Sequence, residues 1–182
     1  ACSFCPSGFE YVNTTHACES CEFGKYQPED AALSPLCAFC PLGFGYTSEP
    51  LPCEACASGM YQSESAQYNV SCRNCSAGKQ FTDTTSVCMT CNGTYQNDER
   101  TLANAVCLHC APGRQFTSIT TLCEFCSTGQ YQSHDDMSYA KCTNCSAGSE
   151  YVSADVDCRA CDTGKYQHES AAPSVACAFC PT

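Results

Sequence analysis

Apolar side chains in this chain never gather into a long run; they stand in short groups punctuated by cysteine and glycine. No 18-residue apolar stretch occurs, so no membrane insertion is expected in this segment. The pattern is set instead by distance from the nearest cysteine. In each 12-residue stretch between cysteine pairs, a glycine follows the opening cysteine by three residues and an aromatic follows the glycine by three: Gly8/Tyr11, Gly43/Tyr46, Gly78/Phe81, Gly113/Phe116 and Gly148/Tyr151. The 15-residue stretches carry Gly-x-Tyr-Gln at Tyr26, Tyr61, Tyr95, Tyr131 and Tyr166, with Gly93 one residue early but the total length kept. Glycine takes φ > 0 without steric cost, so a tight turn is predicted after each pair. A short β-segment is predicted next, its aromatic lying over a disulfide and supplying most of the local apolar burial.

The cysteines carry a strict period. All 22 fall into eleven C-x-x-C pairs, and the linkers between pairs alternate between 12 and 15 residues, a repeat of 35. Five periods run from Cys2 to Cys177. The whole chain, 1–182, therefore reads as one continuous array with repeats at about 5–39, 40–74, 75–109, 110–144 and 145–179. Residues 1–7 and 176–182 are in the same phase (ACSFCPS and ACAFCPT). With no atypical end repeats, that suggests a segment of a longer chain. A weaker period of 70 relates Gly59–Cys75 to Gly129–Cys145. Duplication of a two-repeat unit accounts for it, and so does alternation of surroundings.

Cysteine at about one residue in eight signals a disulfide scaffold in an oxidising, extracellular compartment, where covalent staples replace a large core. Zinc is the competing use of paired C-x-x-C. Eleven pairs do not divide into four-cysteine sites, and the asparagine signals described below belong to a secreted protein, so no metal is expected. Redox chemistry fits no better, because every pair is equivalent. Sequence alone leaves the connectivity open. The pattern expected here is a ladder from the second cysteine of each pair to the first of the next: Cys5–Cys18, Cys21–Cys37, Cys40–Cys53, Cys56–Cys72, Cys75–Cys88, Cys91–Cys107, Cys110–Cys123, Cys126–Cys142, Cys145–Cys158 and Cys161–Cys177. Cys2 and Cys180 would then find partners outside the segment. An interleaved 1–3, 2–4 pattern is the rival, and it strands one pair.

The run Cys5-Pro6-Ser7-Gly8-x-x-Tyr11 up to Cys18-x-x-Cys21 resembles the first loop of tumour-necrosis-factor-receptor-type cysteine-rich modules. The tandem form, with Gly-x-Tyr-Gln after alternate pairs, is closer to ephrin-receptor-like cysteine repeats of extracellular proteins. The resemblance covers the chain. It implies a small disulfide-rich fold, mostly irregular with short β-hairpins, stacked into an elongated solenoid-like rod of five repeats. The receptor modules have six cysteines at irregular spacing, and this chain departs from that.

Charge and the remaining motifs narrow the function. The net charge is −11 with eight Lys and Arg dispersed, which excludes nucleic acid as a partner. Asn-x-Ser/Thr occurs at Asn13, Asn69, Asn74, Asn92 and Asn144, an excess that marks exposed, N-glycosylated surface. The Thr-rich runs 82–86 and 117–121 are candidates for O-glycans, with plain polar loop as the simpler account. His16, His109, His134 and His168 share no phase and no acidic or nucleophilic neighbour, so no catalysis is expected. Asp135-Asp136 and Asp155-x-Asp157 lack a calcium loop's glycine and ligand spacing, leaving room for weak calcium at most and no other cofactor beyond covalent glycans. Two functions remain. One is a structural, filament-forming segment of an extracellular fibre, stalk or surface appendage, associating with neighbouring copies. The other is the ectodomain of a cell-surface receptor or adhesion protein that binds a protein ligand. The first is preferred, because no repeat is singled out by an insertion or an unusual loop.

Overall fold

A computed structural model describes residues 4–97, 105–170 and 172–180. Among them there is no helix. Sixteen strands of two residues each pair into eight antiparallel hairpins. Single bridges at Tyr95–Leu108 and Tyr131–Thr143 stand where two more would fall. Register is the same from repeat to repeat: Lys25 faces Phe39, Met60 faces Asn74 and Lys165 faces Phe179.

Local chemistry explains why a hairpin forms in each place. The loop opened by Cys5 begins with a turn in which the Phe9 amide donates to the Pro6 carbonyl. Gly8 occupies the third position of that turn at φ 80°, where a type II turn demands a positive φ. Phe44 with Pro41 and Gly43, and Lys25 with Glu22 and Gly24, repeat the arrangement. The chain then returns, and Cys21 donates to the Gly8 carbonyl at 2.8 Å. Cys56 donates to Gly43 and Cys126 to Gly113 in the same way. That return sets the second cysteine of one pair beside the first cysteine of the next. Every bridge, from Cys5–Cys18 to Cys161–Cys177, joins such cysteines, with Cα–Cα distances of 5.5–5.7 Å.

The chain divides into two compact units. One comprises Ala1–Ser76, Phe81–Met89 and Glu99–Ala105; the other comprises Ala77–Gln80, Thr90–Asp98 and Val106–Thr182. In the first, a core forms around Cys75, Cys88 and Ala105, with Tyr61 and Phe81 packed against it. In the second, Cys110, Cys123 and Ala140 are covered by Tyr95 and Phe116. Aromatics therefore do lie over disulfides, yet they remain half-buried. The burial expected of them falls elsewhere. Among the described residues, ten of the fourteen buried apolar ones are cysteines, and the other four are Val70, Ala105, Ala140 and Val175, spaced by 35. The glutamine after each tyrosine is also buried, with Gln27, Gln62 and Gln132 only 3% exposed.

Candidate functional site

The feature that recurs with most detail is a junction between loops, built on that glutamine. In the first unit, Gln27 accepts from the Gly8 amide through its backbone carbonyl and donates its own amide to Glu49 of the following repeat, at 2.8 and 2.9 Å. Gln62 does the same with Gly43 and Thr84. In the second unit, Gln96 joins Gly78 to Ile119, and Gln132 joins Gly113 to Ala154. Each glutamine backbone therefore ties its own repeat to the next. The side chain cannot reach water from this position, so it folds back. Nε2 of Gln62, Gln132 and Gln167 donates to the carbonyl two residues on, at 2.6–2.7 Å. In Gln96 and Gln167 the side-chain oxygen accepts a further hydrogen bond from the glycine amide at 3.2 Å. A parallel set runs from each loop aromatic. Tyr46 donates to Val70 and Phe81 to Ala105 in the first unit; Phe116 donates to Ala140 and Tyr151 to Val175 in the second.

Glycine permits the close approach that these bonds require. A Cβ on Gly24 would lie 2.4 Å from the Asn69 nitrogen, and one on Gly93 would lie 2.5 Å from the Tyr139 ring. The residues that press on these glycines, and Ser174 against Gly129, are themselves left-handed: Asn69 at φ 52°, Tyr139 at 56° and Ser174 at 56°. A tyrosine in that conformation is unusual and needs support from its surroundings. Tyr139 has it: the amide donates to Gly93, the hydroxyl donates to Asn92 Oδ1, and the ring meets Phe116 edge-on at 5.4 Å. Tyr68 makes the corresponding clamp in the first unit. Its hydroxyl donates to Glu22 Oε2 at 3.0 Å, and its ring meets Phe39 edge-on at 4.9 Å. Sequence reasoning missed both the glutamine and the clamp. A signal for the clamp exists, since Gly93 stands one residue early and Tyr139 stands one residue later than Tyr68 plus the 70-residue period.

The five sequon asparagines do not share one setting. Asn69, Asn74 and Asn92 are exposed, while Asn13 and Asn144 are half-buried. Asn13 Oδ1 accepts from the Thr15 amide and hydroxyl at 2.9 and 2.7 Å, the hydrogen bonds that Asp83 takes from Thr85. All four histidines are exposed, and His16 Nδ1 lies 2.8 Å from Asn13 Oδ1. In the Thr-rich run 117–121 the hydroxyls meet one another, with Thr117 and Thr121 at 3.0 Å. No group of three or more His, Cys, Asp or Glu is arranged to hold a metal among the described residues. Asp135 and Asp136 are exposed, and Asp155 and Asp157 accept from Ser153 and Ser133. Cys180 carries a free, exposed thiol, and Cys2 lies outside the described residues.

One carboxylate is tuned by the junction it serves. Glu150 is bridged by the Arg159 guanidinium and accepts from the Cys177 amide at 3.2 Å. Those contacts, Arg159 first, hold its pKa below the ordinary carboxylate value. A carboxyl depressed in the fold adds stability at pH above its unfolded pKa and loses it as pH falls through the lower, folded value. Amide exchange at Cys177 and Tyr151, corrected for its intrinsic pH dependence, is therefore expected to accelerate below the usual carboxylate range. In Glu150→Gln that acid-specific change should vanish. An identical pH profile in the variant would show that Glu150 is not the titrating group.

Set against known proteins, the chain matches no family model and no curated relative. Its disulfide density is typical of extracellular or secreted proteins. No helix among the described residues is long and apolar enough to cross a membrane.

Proposed function

We propose that the chain is a structural, non-catalytic repeat segment of an extracellular glycosylated fibre, stalk or surface appendage, with its five 35-residue repeats stacked as a solenoid-like rod. One observation carries this reading: the glutamine junction recurs in four successive repeats, at Gln27, Gln62, Gln96 and Gln132, with the same backbone donor and acceptor roles. A repeat that offers the same bonds forward and backward can be extended without limit, which is what a fibre or stalk requires. A binding module needs no such uniformity and usually departs from it at the ligand-contacting repeat. Further support comes from the acidic surface, which keeps an exposed array soluble, and from sequons spaced along the chain. The protein partners implied are neighbouring copies in the same assembly.

Electron microscopy of purified material tests the proposal. Long filaments with a regular axial repeat are expected. Monodisperse short rods at every concentration examined would reject filament formation.

A further inference from the structure

The loop junctions repeat closely, but one outward face departs from the pattern. It surrounds the hairpin that pairs Arg114 with Phe125, in the second unit. Leu108 and Phe125 fill positions that other repeats give to small or polar residues, such as Ala38, Thr143 and Ala178 for the first and Ser20, Ala55 and Ala160 for the second. With Leu122 they stand exposed, at 52%, 72% and 58%. Leu108 and Leu122 line an open cleft of about 590 Å³ together with Tyr95, His109, Arg114 and Asp135. The Arg114 guanidinium lies over the Phe125 ring, 3.8 Å from its centre, and donates to the Cys123 carbonyl. No described carboxylate pairs with it, although Lys25, Arg73, Arg159 and Lys165 each have one. Single apolar residues scattered on a surface need no explanation, but three around one cleft beside an unpaired cation mark an interaction site.

The first unit carries the complement. Residues 28–36 (PEDAALSPL) present two exposed carboxylates, Glu29 and Asp30, neither paired with a described cation. Beside them Leu33 and Leu36 are exposed at 83% and 73%. The loop is held in place: Ala32 bridges to Cys5, and the Pro35 carbonyl accepts from the Tyr11 amide at 2.8 Å. A held loop loses little conformational freedom on docking. A net charge of −11 sets copies of this chain against one another. Self-contact is therefore favoured where free carboxylates meet a cation that has none. We infer that loop 28–36 of one copy docks on the Arg114 cleft of another, its leucines against Leu108, Leu122 and Phe125 and its carboxylates toward Arg114. This rests on the proposal that neighbouring copies associate. Loop and cleft are different surfaces, so each docked copy keeps one of them free, and the contact propagates as a filament or closes as a ring.

The test is sedimentation velocity of the intact, disulfide-bonded chain over a range of concentrations, with amide exchange at Tyr95 and Phe116 confirming that each variant is folded. Leu33→Ser combined with Leu36→Ser should raise the concentration needed for association at least about tenfold, the scale of two leucines kept from burial. Glu29→Arg with Asp30→Arg, or Arg114→Glu alone, should raise it about fivefold at low salt and less at high salt. Mixing the Glu29→Arg/Asp30→Arg chain with the Arg114→Glu chain should recover the association that each has lost, because every loop then meets an opposite charge in the other chain. Unaltered association of the leucine variant, or no recovery in the mixture, would overturn this contact while leaving the fibre reading intact. An unsubstituted chain that stays monomeric at every concentration would remove both.

Discussion

Reduction of the disulfides is expected to unfold the chain completely in buffer, without denaturant. The strands are two residues long, and an isolated two-stranded hairpin is marginal in water at best. Nor do the described residues offer a conventional core to fall back on, because ten of their fourteen buried apolar members are the cysteines themselves. Each bridge closes a loop with a sequence separation of 13 or 16 residues, worth about 3 kcal/mol in the chain-entropy model. The net stability of an ordinary domain is only about 5–15 kcal/mol, so losing a few bridges removes the whole margin. Amide protection and resistance to proteolysis should therefore disappear together on adding reductant. Replacing Cys110 and Cys123 by serine is the graded version. Those sulfurs sit against Ala140, Tyr95 and Phe116, so the Phe116–Ala140 and Tyr95–Leu108 hydrogen bonds should lose protection while the first unit keeps its own. A reduced chain that retained slow-exchanging amides would show that hydrogen bonds and packing suffice alone.

How far the fold was legible follows from which interactions are local. Turns after each cysteine pair could be read because a glycine three residues past a cysteine has few other uses; Gly8 and Gly24, at φ 80° and 92°, occupy them. The short hairpins came with the resemblance. Connectivity was less accessible, since ladder and interleaved patterns both close short loops. The backbone return from Cys21 to Gly8 selects between them, and it is invisible in spacing. Gln27, Gln62 and Gln132 were illegible for a different reason. Taken alone, a polar residue beside a tyrosine reads as surface. Its burial arises because its backbone makes bonds to two other loops, one of them in the next repeat. Contacts at separations of 45 to 47 residues, such as Gly24 with Asn69 or Tyr139 with Asn92, belong to stacking, and their trace in the sequence is no more than the one-residue shifts of Gly93 and Tyr139 against the repeat.

Stacking can be weighed directly by comparing Gly129→Ala with Gly164→Ala. Both glycines are left-handed, at φ 82° and 88°. An alanine in that conformation costs about 1–2 kcal/mol at either position. Their surroundings differ entirely. A Cβ on Gly129 would lie 2.1 Å from the Ser174 nitrogen and 2.8 Å from the Pro173 carbonyl carbon, whereas one on Gly164 meets nothing within 4 Å. Backbone cannot swing aside as a long side chain can, so the added methyl in Gly129→Ala must push residues 173–174 away. That displacement breaks the Ser174–Gly129 hydrogen bond and strains the Tyr151–Val175 bond beside it. Gly129→Ala is therefore expected to cost about 3 kcal/mol or more, near the upper end for single substitutions, and Gly164→Ala about 1 kcal/mol. The loss should be local: amides of Ser174 and Tyr151 exchange faster in Gly129→Ala, while all bridges remain closed by mass. Equal destabilisation by the two substitutions would mean that the approach of residues 173–174 to Gly129 contributes nothing, and the glycine would then be kept for its turn alone.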